Sequence, residues 1–216
     1  MSKVTCFFIT MLLFGRSWGL AQNCALSGTP AWSSVLRNVV GECDNKFLSP
    51  DERYVLEIGT DGGLRLLSKP DMHELALRAH AVEPPAMISW SPRSNSFFVN
   101  DGGGSGMSST FRLFRLNGDT VLEDDSIERT AVAYYRRHTH CSSQSADPNV
   151  WGFGWSSGGR EVFLLVQATA NEPCGEPESF LCLVVDTADG SIRKVLTKAE
   201  ARLRFQSLLP QALFGR

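Results

Sequence analysis

A chain of 216 residues is long enough for one good core or two small ones, and its formal net charge of −2 lacks the basic excess that a nucleic-acid binder needs. Hydrophobic residues make up 43%, ordinary for a globular domain and too many for a disordered chain. Basic clusters such as Arg136-Arg137-His138 exist but are short.

The first residues read as a targeting segment. Lys3 is the positive n-region, Val4 to Phe14 the apolar h-region, and Gly19-Leu20-Ala21 the small residues that precede cleavage after Ala21. Arg16 and Ser17 interrupt the apolar run well short of the ~20 residues a membrane span requires. Cys24 is separated from those small residues by Gln22-Asn23, so it does not read as a lipidation site. The expectation is a signal peptide over 1–21 and a single domain over 22–216. The mature chain is then exported, periplasmic or extracellular, and has no transmembrane segment.

Export changes how cysteine is read, because an oxidising compartment favours disulfides over metal sites. Cleavage leaves Cys24, Cys43, Cys141, Cys174 and Cys182, an odd count. Cys182 lies inside the apolar run Phe180 to Val185, where a free thiol packs as a small hydrophobe. Cys24 is therefore paired with Cys43 and Cys141 with Cys174. A local Cys174–Cys182 loop stays open as the alternative, since spacing does not decide connectivity.

After a polar loop with Pro30, Val35 to Val40 fits a helical turn or a strand equally well. A first unit, about 46–82, starts at Leu48-Ser49-Pro50. It continues with the strand Arg53 to Ile58, the hairpin signal Thr60-Asp61-Gly62-Gly63 and the return strand Leu64 to Leu67. From Leu75 to Ala81, apolar residues alternate with Glu74, Arg78 and His80, which predicts a strand. A second unit, about 87–122, has strands ending at Trp90, over Ser96 to Asn100, over Thr110 to Leu116 and over Thr120 to Leu122. Asp125-Ser126-Ile127-Glu128 then reads as a capping box and predicts a helix over about 126–137, inside an insertion at 125–149. Ile127, Ala131, Val132 and Tyr135 share one of its faces, and basic residues suit its C-terminal end. A third unit, about 151–197, has strands at Trp151 to Trp155, Glu161 to Gln167, Phe180 to Asp186 and Ile192 to Leu196. Thr197-Lys198-Ala199-Glu200 is a second capping box, opening a helix over about 198–208.

The unit anchors are Leu48-Ser49-Pro50, Trp90-Ser91-Pro92 and Trp155-Ser156-Ser157. The first two lie about 42 residues apart, the usual length of a four-stranded propeller blade, and the wider second step is accounted for by the insertion. In each unit the second strand is apolar on consecutive positions: Tyr54-Val55-Leu56, Phe97-Phe98-Val99 and Val162 to Val166. Such a strand must be covered on both faces, as happens when sheets stack. Trp-Ser-Pro-x-Ser at 90–94, Trp-Ser-Ser-Gly-Gly at 155–159 and Leu-Ser-Pro-Asp-Glu at 48–52 resemble the Trp-Ser-Pro-Asp-Gly turn of TolB-type, WD-repeat-like β-propellers, and Asp186 to Gly190 resembles the end of such a repeat. The resemblance covers 47–197. It implies a mainly β chain of three four-stranded antiparallel blades, forming a partial or irregular propeller with one inserted and one C-terminal helix. A generic antiparallel β-sandwich is the alternative.

No catalytic or cofactor motif stands out. His138-Thr139-His140-Cys141 has zinc-ligand residue types, yet it follows a helix end that itself favours histidine, and it lacks a clear fourth ligand. Asn100-Asp101 and the glycines after it lack the Gly-Lys-Ser/Thr of a phosphate loop and the carboxylates of a calcium loop. Glu123-Asp124-Asp125 is explained by the following helix N-terminus. The expected function is non-enzymatic binding of a protein or envelope component through loops at one end of the blades, with no metal or other cofactor. The alternative is a hydrolase, or a small-ligand or metal binder, built from loop residues with His138, His140 and Asp101 as the suspects.

Overall fold

The turn after each serine anchor is the same in all three units, and the architecture follows from it. In the computed structural model the residues described are 39–40, 45–104, 108–141, 145–169 and 180–209. Ser49, Ser91 and Ser156 each donate a backbone N–H to the carbonyl five residues on, at Tyr54, Ser96 and Glu161. Each also accepts from the N–H three residues on, at Glu52, Ser94 and Gly159. Those three residues have φ of 60°, 57° and 66°, so one left-handed position recurs in the same place. Glycine occupies it without penalty only in the third turn. Adjacent turns touch: the Ser94 hydroxyl accepts the Asp51 N–H at 3.1 Å.

A short strand β1 (Val39–Val40) precedes the first unit, so the last two residues of Val35 to Val40 are strand, and 35–38 lie outside the described residues. The first unit is the meander β2 (Asn45–Leu48), β3 (Tyr54–Ile58), β4 (Leu64–Ser68) and β5 (His73–Leu77). The second is β6 (Ala86–Trp90), β7 (Ser96–Asp101), β8 (Thr110–Asn117) and β9 (Thr120–Asp124). Helix α1 (Ser126–His138) leads to the third meander, β10 (Asn149–Trp155), β11 (Glu161–Gln167), β12 (Phe180–Asp186) and β13 (Ile192–Leu196), and α2 (Lys198–Phe205) closes the described chain. All pairing within the units is antiparallel.

The first two units are not separate sheets. Their fourth strands pair in parallel, Ala76 with Thr120 and Leu77 with Val121, and β1 adds to β6, giving one nine-stranded sheet beside a four-stranded one. Strand β5 stops at Leu77 rather than continuing to Ala81. The crossing to the second unit begins there, and the carbonyls of His80 and Ala81 are taken by the Arg112 guanidinium rather than by a neighbouring strand.

The doubly apolar strands separate cores as their pattern requires. Leu56, Leu66 and Leu75 of the first unit pack against Ile88, Phe97, Val99 and Phe114 of the second. The next residue along, Phe98, faces the other way and joins Phe111, Leu113, Ile127 and Tyr135 against Val162, Leu164 and Leu183 of the third. The far face of the third unit, with Phe163, Leu165 and Cys182, is covered by Ala201 and Phe205 of α2. The second and third units are also clamped by Asn100. Its amide donates to the Gly152 carbonyl at 2.7 Å and accepts the Gly152 N–H at 2.8 Å, as a strand would. Gly152 has no room for a side chain, because a Cβ there would lie 2.7 Å from the Phe111 ring.

The two helix starts differ. Thr197 and Glu200 form the full capping box at α2. At α1 the Asp125 side chain makes no capping bond, and Glu128 faces the sheet instead. The carbonyl ends also differ in length: α1 runs one residue past its expected end, and α2 finishes at Phe205 with a turn through Leu208.

Candidate functional site

Strand pairing assigns the turns of the described residues to two ends. The Ser-anchored turns and the Lys69 to Met72, Asn117 to Gly118 and Thr187 to Ser191 turns share one end, and they are short. The opposite end gathers the connections of unequal length: Gly59 to Gly63, Arg78 to Pro85, the Gly102 to Ser109 loop, the start of α1 and the segment leading into β10.

Three grooves open at this second end among the described residues, one of about 400 Å³ beside the Gly59 to Gly63 turn and two nearer α1. Of the two nearer α1, one, of about 330 Å³, is lined by His80, Glu83, Asp101, Arg112, Glu123 and Glu128 among others. The other, of about 560 Å³, lies along α1 and includes Ser109, Glu128, Arg129, Arg136 and Asp147. Glu128 belongs to both walls.

Arg112 organises the first groove. It projects from β8 and is 7% exposed. Its guanidinium donates to Glu123 at 2.7 and 3.2 Å, to Asp101 at 3.1 Å, and to the carbonyls of His80 at 2.9 Å and Ala81 at 3.4 Å. Burial works against its charge, but the Glu123 and Asp101 carboxylates outweigh that and raise its pKa. Asp101 in turn receives the Glu83 and Gly103 N–H groups, which fold the glycine loop back on the linker.

Beside this satisfied cluster sits an acid with little support. Strand β9 ends at Asp124, so the β8 edge beyond Leu113 has no β9 partner, and the Glu128 carboxylate takes the Phe111 N–H at 3.2 Å. Among the described residues, Glu128 forms no ion pair. Burial first, then the negative charges of Asp147 and Asp125, push its carboxyl up to about 7 against the opposing pull of Phe111 and Arg112. Its neighbour Asp124 goes the other way. Burial would raise it, but the hydroxyl and N–H of Ser126 and the Arg115 guanidinium hold it below the usual range.

The residues suspected from sequence do not converge. His138 ends α1 and stacks on Tyr134 with ring centroids 6.0 Å apart, His140 lies two residues beyond, and both are exposed. Asp101 is committed to Arg112 in the first groove. Among the described residues, no three His, Cys, Asp or Glu side chains are grouped to hold a metal. Of the cysteines, Cys182 is free and buried, and burial pushes its thiol up to about 12. Cys24, Cys43 and Cys174 lie outside the described residues, as does the signal segment. Sequence reading missed Arg112 and Glu128. An arginine amid apolar strand residues, Phe111 to Leu116, was a usable signal; the role of Glu128 was hidden behind its fit to a capping box.

No family model matches the chain, and no curated protein matches it. Among solved structures it is similar to TolB from Acinetobacter baumannii, with 13% identity and a TM-score of 0.38, over 75% of this chain and 33% of that one. It is also similar to the Cps50 (Swd1) β-propeller domain of Myceliophteria thermophila, with 9% identity and a TM-score of 0.30, over 74% of this chain and 57% of that one. The chain thus spans less than two thirds of either neighbour. The described fold is mainly β, and its likeness to TolB-type and WD-repeat-like propellers is one of fold.

Proposed function

We propose that this chain is an exported, non-enzymatic binding module, a partial propeller of three blades that takes a protein or envelope component at its long-loop end. The observation that carries the reading is the division between the two ends. One end repeats a single tight turn three times, which holds the units in register. The other varies in length from unit to unit and contains the grooves. Loops of unequal length on a rigid repeated frame are where recognition concentrates. The groove walls carry seven carboxylates, of Glu83, Asp101, Glu123, Asp124, Asp125, Glu128 and Asp147, against the three arginines Arg112, Arg129 and Arg136, an acidic excess that favours a partner with a basic segment. The N-terminal pattern over 1–21 supports export to the periplasm or beyond. Cys141, which carries no free thiol, supports its pairing with Cys174, and Cys24 with Cys43 completes the proposed set.

The test is site-specific photocrosslinking in whole cells. Probes at Glu83 and Arg129 sit at the long-loop end; probes at Arg93 and Ala188 sit at the turn end, and all four residues are exposed. A discrete adduct formed by the first pair alone is expected. Adducts from the turn-end probes only, or from none, overturn the reading.

A further inference from the structure

Charge is unevenly placed along this chain. The formal net charge is −2, yet the stretch 193–204 holds Arg193, Lys194, Lys198, Arg202 and Arg204 against a single acid, Glu200. All of these cations are exposed. Arg193 is held by Asp186 at 2.8 Å, and Lys194 lies 3.8 Å from Glu200, which also closes the Thr197 capping box. Among the described residues Lys198, Arg202 and Arg204 form no ion pair; Lys198 lies over the Phe180 ring and Arg204 over that of Phe205.

Helix α2 turns this charge outward. Ala201 and Phe205, one turn apart, bury its inner side against the third unit. Leu203 is two residues from each, so it falls at the centre of the outer side. It is 83% exposed, against 54% for Leu122, the next large hydrophobic among the described residues. Ala199, one turn earlier, continues the same exposed stripe. Arg202 and Arg204 fall about 100° to either side of Leu203. Nothing in the packing of the fold calls for a leucine at this position.

We propose that the outer side of α2 docks on an anionic lipid surface, with the unpaired cations on headgroup phosphates and Leu203 entering the boundary between headgroups and acyl chains. An apolar residue flanked by arginines suits that boundary, because the long stems let the guanidinium groups stay among the phosphates while the leucine sinks. Cations near such a surface add their attractions. A folded protein fits the face less well: a convex helix about 12 Å long offers far less than the roughly 800 Å² that each partner buries in a stable interface. The acidic groove walls would be repelled by the same surface, so docking through α2 is oriented and leaves the long-loop end open.

The test is flotation of the full chain with vesicles of phosphatidylcholine and phosphatidylglycerol, and with vesicles of phosphatidylcholine alone. Binding to the mixed vesicles only is expected, weakening as salt rises from about 0.01 to 0.15 M. Reversing both arginines, Arg202→Glu with Arg204→Glu, should cut partitioning at least about tenfold. Leu203→Ser should weaken binding and Leu203→Trp strengthen it, whereas Arg93→Glu, an exposed site at the turn end, should leave it unchanged. All of these side chains are exposed, so the variants keep the fold. No flotation, equal flotation with phosphatidylcholine alone, a Leu203→Ser variant that binds like wild type, or an Arg93→Glu variant as weak as the double reversal overturns the proposal. So does self-association in sedimentation velocity without lipid that the double reversal abolishes, since the face would then belong to a second copy of this chain. None of these readouts involves a groove ligand, so the docking can fail while the crosslinking result stands, and the reverse.

Discussion

Arg112 shows how one side chain can do the work of a missing strand. Five hydrogen bonds lead from its guanidinium to Glu123, Asp101 and two linker carbonyls, so the 78–85 segment needs no sheet partner of its own. Its removal would leave two partly buried carboxylates unpaired and two carbonyls unsatisfied. Breaking a buried pair from one side typically costs about 3–5 kcal/mol, far more than the pair itself contributes over an apolar substitute. Arg112→Ala is therefore expected to lose stability of that order in urea unfolding. Arg112→Lys should recover part of it, because an ammonium reaches a carboxylate but cannot span all four acceptors. The same logic applies in miniature at Asn100, where a side-chain amide substitutes for backbone. An asparagine in an apolar strand was visible in the sequence, but its partner Gly152 lies 52 positions away and shares no local pattern with it.

At the scale of elements, the helix starts make a paired test. Both α1 and α2 carry an acid or threonine followed three residues later by glutamate, yet only Thr197–Glu200 closes the reciprocal box. Thr197→Ala should cost about 1 kcal/mol. Asp125→Ala should cost at most a few tenths, since its side chain forms only an exposed pair with Arg129 at 3.1 Å. Thermal unfolding of the two variants would separate them. The contrast also explains what sequence could and could not convey. Strand positions, the repeat and both helices were legible because periodicity and turn chemistry are local. The fate of Glu128 was not, because the stub of β8 that recruits it becomes an open edge only once β9 has ended in space. The parallel join of β5 to β9 was equally hidden: it involves two register pairs, and neither strand advertises a parallel neighbour.

For the whole molecule, stability rests on faces covered by something. The far side of the third unit depends on α2, where Phe205 lies 4.6 Å from Phe163 and 5.2 Å from Phe153 by ring centroid. Phe205→Ala removes the centre of that contact and is expected to destabilise by about 3–5 kcal/mol, with increased binding of a hydrophobic dye as the helix lifts. The three-layer order itself was readable, because strands greasy on consecutive positions demand neighbours on both sides, and the cores on either side of Phe97 and Phe98 meet that demand.

The first unit ends the stack by different means. Across its outward face, Lys46 of β2 reaches Glu57 of β3 at 2.6 Å, Glu57 meets Arg65 of β4 at 3.5 Å, and Arg65 reaches Glu74 of β5 at 2.8 Å. Individually these contacts add little. Together they form a hydrated picket of alternating sign, and a foreign sheet seeking to lie flat there would have to strip water from every post. A repeat architecture is always at risk of growing, each layer templating the next. Among the described residues one end of the stack is roofed by α2 and the other fenced by charge, an arrangement that works against the addition of a further sheet at either end.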